Sequence, residues 1–137
     1  MAKLLHRIQQ KQFFQEREIR IQPSGMEKMS AVILEFAQPM LEHALNDDMR
    51  RNTIAFAIFA WNLAIYKGLG KDDSYQKLHD LVLSSYTDET RRQQFQHFLA
   101  ALLERKRESF ADNKRFIMDY ELGFTDNNIR LNVVSTS

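Results

Sequence analysis

The chain has 137 residues, 19 Lys plus Arg against 18 Asp plus Glu, and no cysteine. Its length suits one domain with a sizeable core, and its balanced charge supplies no whole-chain field for nucleic acid or anionic lipid. The lack of cysteine excludes disulfides, thiolate metal sites and thiol catalysis. With no N-terminal apolar stretch of signal-peptide length, a soluble, cytoplasmic protein without a membrane segment is expected.

Residues 1–22 read as an N-terminal arm. Leu4, Leu5 and Ile8 share one face of a weakly amphipathic helix over residues 2–17, where Phe13 and Phe14 stand among glutamines. Residues 18–22 alternate with period two, which predicts a short strand before the break at Pro23, Ser24 and Gly25. Ser24 and Glu27 have capping-box spacing and predict the start of a second helix. Its stripe of Met29, Val32, Ile33, Phe36, Met40 and Ala44 runs in phase through Pro39. The proline removes one backbone donor and frees the carbonyl of Glu35, so a bend is expected there rather than an end.

Asn46, Asp47 and Asp48 suit the positive end of a third helix. Residues 53–66 are apolar all round apart from Asn62 and too short to cross a bilayer, as expected of a central helix wrapped by others. Ala57, Ala60 and Ala64 leave room for a close neighbour, and Gly68 and Gly70 supply the stop. A fourth helix capped by Asp72 or Asp73 presents Tyr75, Leu78, Leu81, Val82 and Tyr86. A fifth, capped by Thr87 or Asp88, presents Phe95, Phe98, Leu99, Leu102 and Leu103, with Phe110 near its end. The period then changes. Phe116, Met118, Tyr120, Leu122 and Phe124 alternate, as do Ile129, Leu131 and Val133, and Thr125, Asp126, Asn127 and Asn128 supply a turn. A β-hairpin over residues 114–134 is predicted. The fold class is therefore mainly α, a single-domain bundle of about five helices around a buried central helix, finished by a hairpin.

The chemistry-bearing residues form no complete motif. Glu35, Glu42, His43, His79, Asp80 and His97 suggest a metal in a bundle, but the chain has Gln76-x-x-His79 and Gln94-x-x-His97 where Glu-x-x-His pairs are needed. Gly68-Leu69-Gly70-Lys71 lacks both the first glycine and the Ser or Thr of a phosphate loop. Phe124 stands where a calcium loop beginning at Asp119 needs glycine. No cofactor and no metal are predicted. Asn62 requires a hydrogen-bonding partner in the interior, either the carbonyl freed by Pro39 or a polar side chain on a neighbouring helix. Its functional alternative is a candidate pocket of Asn62, Trp61, Glu35 and His43.

The expected function is a non-catalytic protein–protein interaction or self-association module, with Phe13, Phe14, Phe116 and Tyr120 as candidate partner contacts. Removing the chain after Asn113 is expected to leave the helices folded and to destroy association, since a hairpin has edges and a face that need partners. One alternative is an RNA- or DNA-associated protein using the basic N-terminal segment and the cluster of Arg105, Lys106 and Arg107. The other is an enzyme with an acid/base site from Glu35, Glu42 and His43.

Overall fold

The computed structural model describes residues 28–126 and 128–136. Four helices and one hairpin are found among them: α1 (Met29–Leu41), α2 (Asp47–Gly68), α3 (Asp72–Leu83), α4 (Glu89–Ser109), β1 (Ile117–Thr125) and β2 (Asn128–Ser135). The expected helix over residues 2–17, the strand over residues 18–22 and the Ser24–Glu27 capping pair lie outside the described residues.

α1 contains Pro39 and continues past it to Leu41, but Ala44 lies beyond the helix. The last turn tightens instead of continuing: His43 N–H donates to the Met40 carbonyl and Ala44 N–H to that of Leu41, each at 3.1 Å. α2 starts where the Asn46 side chain accepts from Met49 N–H at 2.8 Å, with Asp47 and Asp48 in its first turn. It ends in a Schellman motif around Gly70, whose φ of +73° suits a residue without Cβ. Lys71 N–H reaches back to the Tyr66 carbonyl at 2.9 Å and Gly70 N–H to that of Lys67 at 3.1 Å.

The cap of α3 differs from expectation. Lys71 holds the N-cap position without a side-chain bond, and Asp72 and Asp73 fall inside the first turn. There their charge faces the helix dipole instead of capping a backbone donor. In α4 the Asp88 side chain caps, accepting from Thr90 N–H at 2.8 Å. Leu81 and Phe98, expected in the inward stripes, are 45% and 44% exposed.

The strands pair in antiparallel register, Leu122 opposite Leu131 and Phe124 opposite Ile129. Directly opposed residues share a face, so Tyr120, Leu122 and Phe124 lie with Val133, Leu131 and Ile129. That apolar face packs on the helices, β1 against α2 and β2 against α1. Glu121, Gly123, Asn132 and Arg130 form the opposite, polar face. A bulge between Ile117 and Asp119 adds a residue to β1. Simple alternation therefore fails at the strand's start, and Phe116, Ile117 and Met118 are all buried.

One apolar cluster joins the elements. α2 contributes Ile54, Ile58, Phe59, Trp61, Leu63 and Tyr66; Ile33 and Phe36 come from α1, Leu78 from α3, Phe95 and Leu99 from α4, and Ile117 and Leu131 from the hairpin. Among the described residues no helix is long and apolar enough to cross a membrane.

Candidate functional site

Asn62 is fully buried, and its amide is spent on the hairpin backbone. Nδ2 donates to the Ile117 carbonyl at 3.0 Å, and Oδ1 accepts from Ile117 N–H at 2.9 Å. A primary amide presents the same donor and acceptor as a peptide unit, so the side chain pairs with Ile117 as a neighbouring strand would. The partner is thus neither the carbonyl freed by Pro39 nor a side chain on a neighbouring helix. Trp61 is equally buried, and its Nε1–H donates to the Arg115 carbonyl at 2.8 Å. These two consecutive residues of α2 fasten the entry to β1 and line no open pocket.

Arg105 completes α1. Its Nη2 donates to the Glu35 carbonyl at 2.9 Å and its Nε to the Phe36 carbonyl at 3.0 Å. Pro39 has no N–H for the carbonyl of Glu35, and the guanidinium of α4 supplies the missing donor.

Lys106 is turned inward. It is 5% exposed, with Nζ 4.4 Å from the centre of the Trp61 ring. It donates to the carbonyls of Phe110 and Asn113 at 2.7 and 2.8 Å, closing the end of α4. Burial depresses its pKa from 10.5 to about 8. Of the expected basic cluster, only Arg107 stands on the surface, and it pairs with Glu104.

The depressed Lys106 value carries a sign. Below about pH 8 the lysine is protonated in both the folded and unfolded chain, and the cost of burying the cation is fully present. Between about 8 and 10.5 the unfolded chain binds more protons, so this residue's contribution to stability rises with pH. Tyr75, Tyr86 and Tyr120 shift upward through burial, Tyr120 to about 12, and oppose the gain only above their ordinary value of 10. Urea unfolding from about pH 8 to 10 should show wild type gaining stability relative to Lys106→Met. Parallel profiles for the two proteins would contradict this account.

Glu35, Glu42 and His43 are exposed. Glu35 lines a cavity of about 640 Å³ with Val32 and residues 108–115, which includes neither Glu42 nor His43. His79 contacts Asp80 through Nδ1 at 3.1 Å and Gln96 through Nε2 at 3.4 Å, and its ring stacks on Tyr75. The bond from His79 holds the Asp80 carboxyl below its usual range. His97 lies exposed beside Phe98. No three His, Asp or Glu residues among those described are placed to hold a metal ion.

Of the expected partner contacts, Phe13 and Phe14 lie outside the described residues. Phe116 belongs to the core at 1% exposure, with its ring centre 5.3 Å from that of Tyr66. Tyr120 is half-buried on the helix-facing side of the hairpin.

The exposed apolar surface lies elsewhere. A groove of about 390 Å³ is lined by Met40, Thr53, Phe56, Tyr86, Phe95 and Phe98, with Asn52, Arg91 and Gln94 as polar members. Phe95 anchors its floor against Phe56, Phe59 and Tyr86, with ring centres 5.4–5.8 Å apart. Leu45 at 84% exposure precedes the first turn of α2, and Met49 at 41% stands one turn before Thr53. A signal for Leu45 was present in the sequence. It occupies the position before the Asn46 cap, where an apolar residue usually packs on the fourth helical residue. That residue is Arg50, so the staple does not form.

Compared with protein-family models, curated proteins and solved structures, the chain has no match.

Proposed function

We propose that this protein is a non-catalytic interaction module that associates with a second copy of itself through the groove between α2 and α4. The supporting observation is the pairing of a recess with a projection close along the chain: an aromatic-floored groove lined by Thr53, Phe56 and Phe95, and Leu45 standing 84% exposed in the loop before α2. A two-fold interface requires that one patch carry both knob and hole. Leu45 of each copy would enter the other's groove, and Phe98 and Met49 would be covered at its margin. Exposed apolar side chains grouped around a recess are the usual mark of a contact surface. In this reading α2 is the central element of the bundle, and the groove-lining Thr53 and Phe56 belong to the helix that anchors the rest.

Sedimentation across a concentration series tests the reading. The wild-type mass should rise with concentration, while Leu45→Asp and Phe98→Asp stay monomeric with unchanged helical signal. A wild-type chain that remains monomeric throughout, or charged variants that associate equally well, would overturn it.

A further inference from the structure

A third cavity lies between α2, α3 and α4, with a volume of about 490 Å³. Ala57 and Ala60 of α2 are completely buried, but one turn later Ala64 is only partly covered. The small side chains of Ala64 and Ala100 face this space, Leu103 and Tyr75 add apolar surface, and Lys67 and Arg107 also line it. The volume falls within the roughly 300–1,000 Å³ of small-molecule sites, which combine apolar walls with a few polar groups.

We propose that this cavity binds a small amphipathic carboxylate, its aliphatic body against Ala64, Ala100 and Leu103 and its headgroup between Lys67 and Arg107. The charge at the lining favours an anion: Lys67, Lys106 and Arg107 stand against Glu104, with Glu108 bonded to Glu104 beside it. The helix ends beside it do not cancel this preference. The last carbonyls of α2 are closed by the Gly70 motif, and those following α4 accept from Lys106. Lys106 contributes its stem and keeps its ammonium on the Phe110 and Asn113 carbonyls, which leaves Lys67 and Arg107 as the headgroup's partners. Lys67 stands 5.4 Å from the Tyr75 ring centre, at the edge of the apolar surface. Arg107 can pair with a ligand carboxylate as it pairs with Glu104.

The test uses octanoate as probe, with octanol and octyltrimethylammonium for comparison, followed by amide NMR shifts of the full chain. Octanoate should give saturable shifts at Lys67, Gly68, Ala100 and Leu103 at millimolar concentration, and the two comparison compounds should bind more weakly. The K67Q/R107Q double variant should weaken octanoate by roughly threefold or more, the effect of one or two partly exposed ion pairs. Ala100→Phe, which fills the cavity from an exposed helix position, should abolish the shifts. Should that variant fail to fold, K67Q/R107Q carries the test, since both side chains lie on the surface. No saturable octanoate shift would overturn the site. Equal binding of octanol or of the cation, or undiminished binding by K67Q/R107Q, would overturn the assignment to carboxylates.

Discussion

A chain ending at Asn113 should lose cooperative folding. The alternating pattern of the tail predicts a detachable association element, but Phe116, Ile117, Met118 and Leu131 lie in the same apolar cluster as the helices. Burying four such side chains contributes on the order of 6–12 kcal/mol, at about 1.5–3 kcal/mol each. That is comparable with the whole stability of a typical domain, about 5–15 kcal/mol. Truncation also strips Asn62 of its bonds to Ile117 and Trp61 Nε1–H of the Arg115 carbonyl. If Arg115 were retained and the cut made later, the loss of apolar cover would still dominate. Circular dichroism during urea unfolding should show reduced helix and a broad transition in the shortened chain. A sharp, fully helical transition would restore the view of the hairpin as an appendage.

Asn62→Leu should destabilise the chain by about 2–5 kcal/mol, although leucine is close in size and the site is fully buried. The substitution leaves both Ile117 N–H and Ile117 C=O without the partners that now stand 2.9 and 3.0 Å away. Each buried orphan costs roughly 1–3 kcal/mol, more than the gain from an apolar side chain offsets. Asn62→Asp separates the two halves of the pair. Its carboxylate still accepts from Ile117 N–H but sets a second oxygen against the Ile117 carbonyl, so it should also destabilise. An Asn62→Leu protein within about 0.5 kcal/mol of wild type in urea unfolding would show that the amide pair contributes little.

Several features of this fold were legible in the residues. The apolar run of α2, the caps at Asn46 and Asp88, the stop at Gly70 and the hairpin turn all rest on local chemistry that operates within a few residues. Features that depend on partners far along the chain were not. Pro39 announced that the Glu35 carbonyl needs a donor, but nothing near it identified Arg105, 70 residues beyond Glu35. Trp61 and Asn62 find their partners 54 and 55 residues later. Lys106 is an intermediate case. Phe95, Leu99, Leu102 and Lys106 follow steps of four, three and four, so the lysine continues the buried stripe of α4. Its arginine neighbours place it in a basic run that could equally serve a nucleic-acid contact. The β1 bulge was hidden for another reason: Phe116, Ile117 and Met118 are all apolar, and such a run does not reveal where an added residue breaks the alternation.

The candidate site was legible in still smaller part. Glu35 and His43 are exposed whereas Trp61 and Asn62 are buried, and Phe116 serves the core. The exposed apolar groove draws on Met40 and Phe98, residues whose helical spacing matches a buried stripe. Periodicity identifies which side chains share a face, and only the arrangement of neighbouring helices determines whether that face is covered.

The Asn62 amide also bears on how far the sheet can be extended by another chain. Sheets extend into fibrils when an approaching chain finds open donors and acceptors along a strand edge. At Ile117 both groups on that edge are already held by the buried Asn62 side chain, and displacing it would mean opening the core. Growth from the β1 edge is therefore obstructed at the very residue where the strand begins. A foreign strand would have to start farther along, where it gains fewer rungs. The helix acts as a permanent stopper on the sheet.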